Sequence, residues 1–140
     1  VRVLLPMVSQ VGEIRRAREI MKKAAAKLHR RGVTIPDPLP PMGVMIEVPG
    51  AALAADAFAQ ARDFFAIGSN DLTMYTLAID RGNEHVAHLF DPLHPGVLRL
   101  IQFTATAALR ARIPVSICGE WPATPAIRRC CWGSASAICR

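Results

Sequence analysis

The chain has no apolar run of the roughly 18 residues that a membrane-spanning helix needs, which excludes such an anchor within its 140 residues. Its opening residues, VRVLLPM, carry neither the charged lead nor the cleavage site of a secretory signal. The expectation is a soluble, cytoplasmic protein without membrane insertion. No glycine-rich GxGxxG turn follows the first apolar segment, where Pro6-Met7-Val8-Ser9 stands instead. That argues against an open, doubly wound dinucleotide-binding sheet. Aromatic residues are few, at 6%, and do not interleave with the basic ones. A stacking platform for single-stranded nucleic acid is therefore absent. The four histidines, His29, His85, His88 and His94, show no metal-ligand spacing.

What is present is hydrophobicity in short, separated runs. Apolar residues make up 51% of the chain, ample for a core. The formal charge of +6 is concentrated. Arg15, Arg16, Arg18, Lys22, Lys23, Lys27, Arg30 and Arg31 all fall on one predicted helix, whose basic side reads as a solvated outer face. No nucleic-acid partner is expected.

The punctuation predicts repeated strand–helix units. Val1–Leu5 reads as a strand. Ser9 suits an N-cap, and Glu13 puts negative charge in the first turn of the helix that follows. Val11, Ile14, Met21 and Leu28 form its apolar stripe, and Gly32 ends it. Further strands are predicted at Gly43–Glu47, Arg62–Ile67 and Pro114–Cys118. Helices are predicted at Ala51–Gln60, Leu72–Ala78 and Val97–Ala108, with a loop over Asp80–Pro95. The runs GVMI and FFAI are continuously apolar, as suits strands buried on both faces of a parallel sheet. The fold class is α/β, a partial (β/α)8 TIM barrel of about four consecutive βα units. A complete barrel takes roughly 250 residues, and the chain opens in an apparent strand without an initiator methionine. An excerpt of a longer protein is expected.

In such barrels chemistry gathers at the C-terminal strand ends. Glu47 ends one apolar run, and Gly68-Ser69-Asn70-Asp71 ends the next. Two carboxylates on successive strand ends can serve a hard cation such as Mg²⁺, which typically keeps one or two protein carboxylates plus substrate oxygens. Each also has a structural explanation, Glu47 as a charge at a helix N-terminus and Asn70-Asp71 as a helix cap. Arg81 offers a planar fork to a phosphate or carboxylate, or else pairs with Asp80 in its turn. Cys118 closes the last predicted strand just before Gly119-Glu120 and reads either as core or as a reactive thiol.

Four stretches carry a resemblance: GVMIEVPGAALAAD, DFFAIGSNDLTMYTLAIDRGN, HLFDPLHPGVLRLI and CGE. In this order and spacing the chain resembles the phosphoenolpyruvate-utilising enzymes over Val1–Glu120. The run TLAIDRGNEHVAHLFDPLHPGVLRLI is most similar to the phosphotransferase-system branch, enzyme I. Pyruvate phosphate dikinase and phosphoenolpyruvate synthase share the framework and give the alternative reading. The resemblance implies the C-terminal half of a phosphoenolpyruvate-binding barrel, with Mg²⁺ held by Glu47 and Asp71 and the phosphoryl group contacted by Asn70 and Arg81. It implies Cys118 as the proton donor that turns enolpyruvate into pyruvate. The implied partners are phosphoenolpyruvate and a small phosphocarrier protein, reached through a phosphohistidine on an N-terminal domain outside this chain. A homodimer is implied as well. A non-catalytic dimerisation or regulatory fragment and a pseudogene product remain the competing readings.

The likeness stops at Glu120, where relatives continue with a sequence like Met-Ala-Gly-Asp-Pro. Written as codons with one A restored in front, Trp121-Pro122-Ala123-Thr124-Pro125 becomes ATG GCC GGC GAC CCC, which encodes that run. Residues 1–120 are therefore expected to be barrel, and residues 121–140 an aberrant tail read after a one-base slip. Cys130, Cys131 and Cys139 would then be accidents of the frame, so no disulfide or zinc site is expected. Taking Arg128, Arg129 and Arg140 from the 17 basic residues leaves 14 against 11 acidic ones. Sequencing the coding DNA across codon 120 tests this directly.

Overall fold

A computed structural model describes residues 1–119 of the chain. The expected aberrant tail, 121–140, and Glu120 of the CGE motif lie outside them. Four strands, β1 (Val3–Leu5), β2 (Met42–Ile46), β3 (Phe64–Gly68) and β4 (Val115–Cys118), form one sheet in the order β1-β2-β3-β4, with every pair parallel. Each strand lies beside its neighbour in sequence, with helical connections between. This is the α/β arrangement expected for consecutive units of a barrel.

The strands alternate sides as pleating requires. One face carries Met42, Val44 and Ile46 of β2, Phe65 and Ile67 of β3, and Val115 of β4, all buried. These pack with Ile14, Ala51, Ala52, Phe58, Leu72, Val97, Ile101 and Ala108 of the helical layer in one core. The opposite face carries Leu4, Gly43, Phe64, Met45, Ala66 and Ser116. It is only partly covered, and Leu4 is 37% exposed. So β2 and β3 are largely buried on both faces, while β1 and β4, at the margins, are not.

Helix α1 (Val11–His29) begins one residue later than a Ser9 cap would set it, with Gln10 at the N-cap. The Glu13 carboxylate does the capping by reaching back to accept the Ser9 and Gln10 backbone N–H groups, each at 2.8 Å. Those bonds hold its carboxyl below the ordinary carboxylate range. Ile14 is fully buried on the inner stripe and Leu28 is 38% exposed near the end. Gly32, at φ +77°, turns the chain out.

The expected single helix over Ala51–Gln60 is two short ones, α2 (Pro49–Leu53) and α3 (Ala55–Ala59), broken at Ala54. Pro49 fits the first helical turn, where its missing N–H costs nothing. Helix α4 (Ser69–Leu77) starts directly from β3, three residues earlier than expected, and ends at Ala78 in left-handed geometry, φ 54°. A loop with a 3₁₀ turn at Ala87–Leu89 follows. Helix α5 (Pro95–Arg110) is capped by His94, whose Nδ1 accepts the Gly96 N–H at 3.1 Å.

Candidate active site

The strand ends carry one row of residues across the partly covered face. Ile46, Ile67 and Ile117 are paired in register on the core side. One step further stand Glu47, Gly68 and Cys118, with Gly68 and Cys118 directly paired. Alternation turns this row to the face opposite the core.

Glu47 is 2% exposed. Its Oε1 accepts the backbone N–H of Met7 at 2.6 Å, across 40 residues of sequence. Met7 adopts φ 52° to make that bond, a left-handed conformation that costs a side-chain-bearing residue about 1–2 kcal/mol. Burial pushes the Glu47 carboxyl up, the Met7 amide pulls it back, and the neighbouring Asp71 carboxyl pushes it up again. The two acids predicted from separate motifs thus share one place.

Asp71 sits in the first turn of α4, half-buried. It does not cap that helix. Gly68 is the N-cap and makes no side-chain cap bond, and Asn70 and Asp71 already lie within the helix, so the capping explanation for Asn70-Asp71 does not hold. Helix onset so close to the strand is what carries Asn70 and Asp71 to the sheet end.

Cys118 is exposed at the end of β4, and its thiol donates to the Ile67 carbonyl at 3.4 Å. Loss of solvent around the sulfur raises its pKa, and the charges of Glu47 and Asp71 raise it further. The thiol keeps its proton through neutral pH, as a proton donor must.

The other predicted residues are differently placed. Asn70 is half-buried, and its Oδ1 would lie 3.0 Å from a Cβ built on Gly119. Arg81 is exposed in the turn after α4, where Gly82 N–H donates to Asp80 Oδ1 at 2.8 Å. Glu47, Asp71 and Cys118 are brought together, with Asn70 bordering them through Gly119.

Four residues that motif reading passed over complete the arrangement. Met7 fixes one Glu47 oxygen. Ser69, fully buried, donates its hydroxyl to the Cys118 carbonyl at 3.0 Å and so ties the start of α4 to the end of β4. Gly119, at φ +124°, passes where a Cβ would strike the Ser69 hydroxyl. Gly68 leaves open the volume beside Glu47 Oε2. Of these, only the glycines had a signal in the sequence, as the turn residues of GSND and CGE.

The donor set suits a hard divalent cation: two neighbouring carboxylates, Glu47 buried and with its charged form disfavoured by burial and by Asp71. Among the described residues no group of three or more His, Cys, Asp or Glu side chains is placed to hold a metal ion by itself. The protein would supply two ligands and leave the remaining positions to other oxygens.

The profile of the family described as PEP-utilising enzyme, PEP-binding domain matches residues 1–135. The chain belongs to this family. It is 46% identical over 129 residues to the phosphoenolpyruvate-protein phosphotransferase of Cupriavidus necator, covering 92% of this chain and 22% of that protein. Identity is 43% over 124 residues with the same-named protein of Bacillus sp. (strain S), covering 89% and 21%. With that of Listeria monocytogenes it is 42% over 119 residues, covering 85% and 21%. The chain spans about a fifth of the length of these relatives. Among solved structures, a citrate lyase from Burkholderia xenovorans LB400 superposes with a TM-score of 0.56 at 20% identity, over 83% of this chain and 35% of that one. At that identity the likeness concerns the PEP-binding domain's α/β fold alone. Among the described residues, no helix is long and apolar enough to cross a membrane.

Proposed function

We propose that this PEP-utilising chain forms part of the phosphoenolpyruvate site of a phosphoenolpyruvate-protein phosphotransferase. The observation that carries the reading is that Glu47 after β2, Asp71 in the first turn of α4 and the Cys118 thiol at the end of β4 lie near enough to act on one another, in a chain 46% identical to a protein of that name. Glu47 and Asp71 would hold Mg²⁺. When bound, Mg²⁺ supplies positive charge that neutralises the substrate's carboxylate and phosphate and favours phosphoryl departure. Asn70 donates its amide N–H to a phosphoryl oxygen, and Arg81, on its exposed loop, offers a bidentate fork to the same group. Cys118 delivers a proton to the methylene carbon of the enolpyruvate as the phosphoryl group leaves, giving pyruvate. Its raised pKa keeps the proton available.

On this reading the phosphoryl group passes to a histidine outside residues 1–140 and then to a phosphocarrier protein. A homodimer in the cytoplasm is the proposed setting. The test is a graft: residues 1–119 replace the matching segment of the Cupriavidus necator relative, and phosphoenolpyruvate-dependent phosphorylation of a phosphocarrier protein is measured. The graft should be active. Glu47→Gln and Cys118→Ala should each lower kcat at least 100-fold in the folded graft, on the scale of one removed acid–base or charge-stabilising group. Full activity in either variant would refute the assignment.

A further inference from the structure

Gly68 has no conformational reason to be glycine. Its φ of −84° and ψ of 89° lie at negative φ, where residues with side chains are at home. What it provides is space. A Cβ built there would lie 2.5 Å from Glu47 Oε2, 3.0 Å from Glu47 Cβ and 3.2 Å from Met45 Sδ.

Met45 can swing aside, because a thioether chain is flexible and this one is only half-buried. Glu47 cannot. Its Oε1 is held by the Met7 N–H at 2.6 Å, and the residue is 2% exposed. Its other oxygen is the one that faces Gly68. The carboxyl is therefore pinned from β1's side and given room only on β3's side, where Asp71 waits one helical turn beyond the strand.

We propose that Gly68 is a positioning residue for the carboxylate pair. Its missing side chain is the space into which Glu47 extends toward Asp71, and the Met7 amide is the stop that keeps it there. The inference rests on reading Glu47 and Asp71 as the pair that holds a divalent cation. A methyl group at position 68 drives the Glu47 carboxylate out of this space and spoils the shared site while the sheet stays intact.

A double-mutant cycle tests this with Gly68→Ala, Glu47→Ala and the two combined in the full 140-residue chain. Two readouts are taken: binding of Mn²⁺, followed by the paramagnetic resonance signal of the free ion, and urea unfolding without metal. Gly68→Ala should weaken Mn²⁺ binding 10- to 100-fold, as loss of a group that orients a metal ligand does. It should lower the urea midpoint clearly more when Glu47 is present than in the Glu47→Ala background, where the 2.5 Å clash with Oε2 is gone and only the Cβ and Met45 contacts remain. Equal loss in both backgrounds, or wild-type Mn²⁺ affinity in Gly68→Ala, overturns the proposal. If the wild-type chain takes up no Mn²⁺, the cation reading falls and the urea cycle alone judges the Gly68–Glu47 coupling. If Gly68→Ala fails to fold, recovery of a folded chain in the double variant supports the steric coupling, and failure of both refutes it.

Discussion

Replacing Arg62 by methionine should make this protein more stable. Arg62 is 5% exposed just before β3, and its Nε and both terminal nitrogens have no hydrogen-bond partner among the described residues. Its guanidinium lies 4.4 Å from the centre of the Phe65 ring. Burial, with Arg18 adding repulsion and Asp63 opposing, lowers its pKa from the ordinary arginine range to about 10. Holding the charged form in the fold therefore costs about 3 kcal/mol. Stacking on Phe65 returns about 1–2 kcal/mol. Methionine keeps most of the aliphatic volume and drops the charge, so Arg62→Met should gain about 1–2 kcal/mol. Asp63 does not lose its partners, because its Oδ2 still accepts from the Met42 N–H at 2.7 Å and from Arg18 at 3.3 Å.

The assay is urea unfolding of wild type and variant at pH 7, repeated at pH 10 and 11. A base whose pKa falls on folding burdens the native state fully below its folded pKa. The burden lifts as pH rises through about 10, where the unfolded chain still holds its proton. The advantage of Arg62→Met should therefore be complete at pH 7 and shrink between pH 10 and 11. A variant less stable than wild type at pH 7, with its fold intact, would show that the guanidinium is well partnered and would refute the reasoning.

Glu47→Gln keeps an acceptor for the Met7 N–H and removes a charge that burial and Asp71 disfavour. The metal-free chain should gain about 1 kcal/mol at pH 7, the scale by which functional sites commonly burden a fold, and the gain should vanish in acid where Glu47 is protonated. Thermal melts at pH 4 and pH 7 check this. The Cys118 thiol, raised by lost solvation and by Glu47 and Asp71, should be alkylated by iodoacetamide more slowly at pH 8.5 than an unstructured cysteine. Glu47→Gln should speed that reaction, as mass spectrometry of the Cys118 peptide can show. Ala78→Gly relieves the left-handed conformation at φ 54° and should add about 0.5–1 kcal/mol in urea unfolding. The 140-residue polypeptide on its own should release no Mg²⁺-dependent pyruvate from phosphoenolpyruvate, because catalytic geometry tolerates little displacement; release abolished by Cys118→Ala would contradict this.

The central strands were legible because GVMI and FFAI are continuously apolar and too short for a buried helix. The station of Glu47, Asp71 and Cys118 followed from where those runs stop. Boundaries were less legible. Ser9 has a capping side chain, yet Glu13 reaches past it and sets the start of α1 at Val11. Asn70-Asp71 has the chemistry of a cap, but α4 begins at Ser69 and leaves both acting as first-turn residues. The break at Ala54 is invisible in an alanine-rich run, since nothing there disfavours a continuous helix. Met7 left no trace, because a single backbone N–H aimed at a distant acid has no residue signature. Arg62 looked like an ordinary polar start to a strand; what distinguishes it is the ring of Phe65 above it and, among the described residues, the lack of a hydrogen-bond partner for its guanidinium.

The partly covered side of the sheet has a practical consequence. Leu4, Met45 and Phe64 meet solvent there in part, and among the described residues nothing pairs with the outer margins of β1 and β4. Unsatisfied amides beside greasy surface invite lamination of one molecule onto another. Purified at high concentration, the polypeptide should therefore precipitate or stack into ribbons sooner through these margins than through its cationic helical flank.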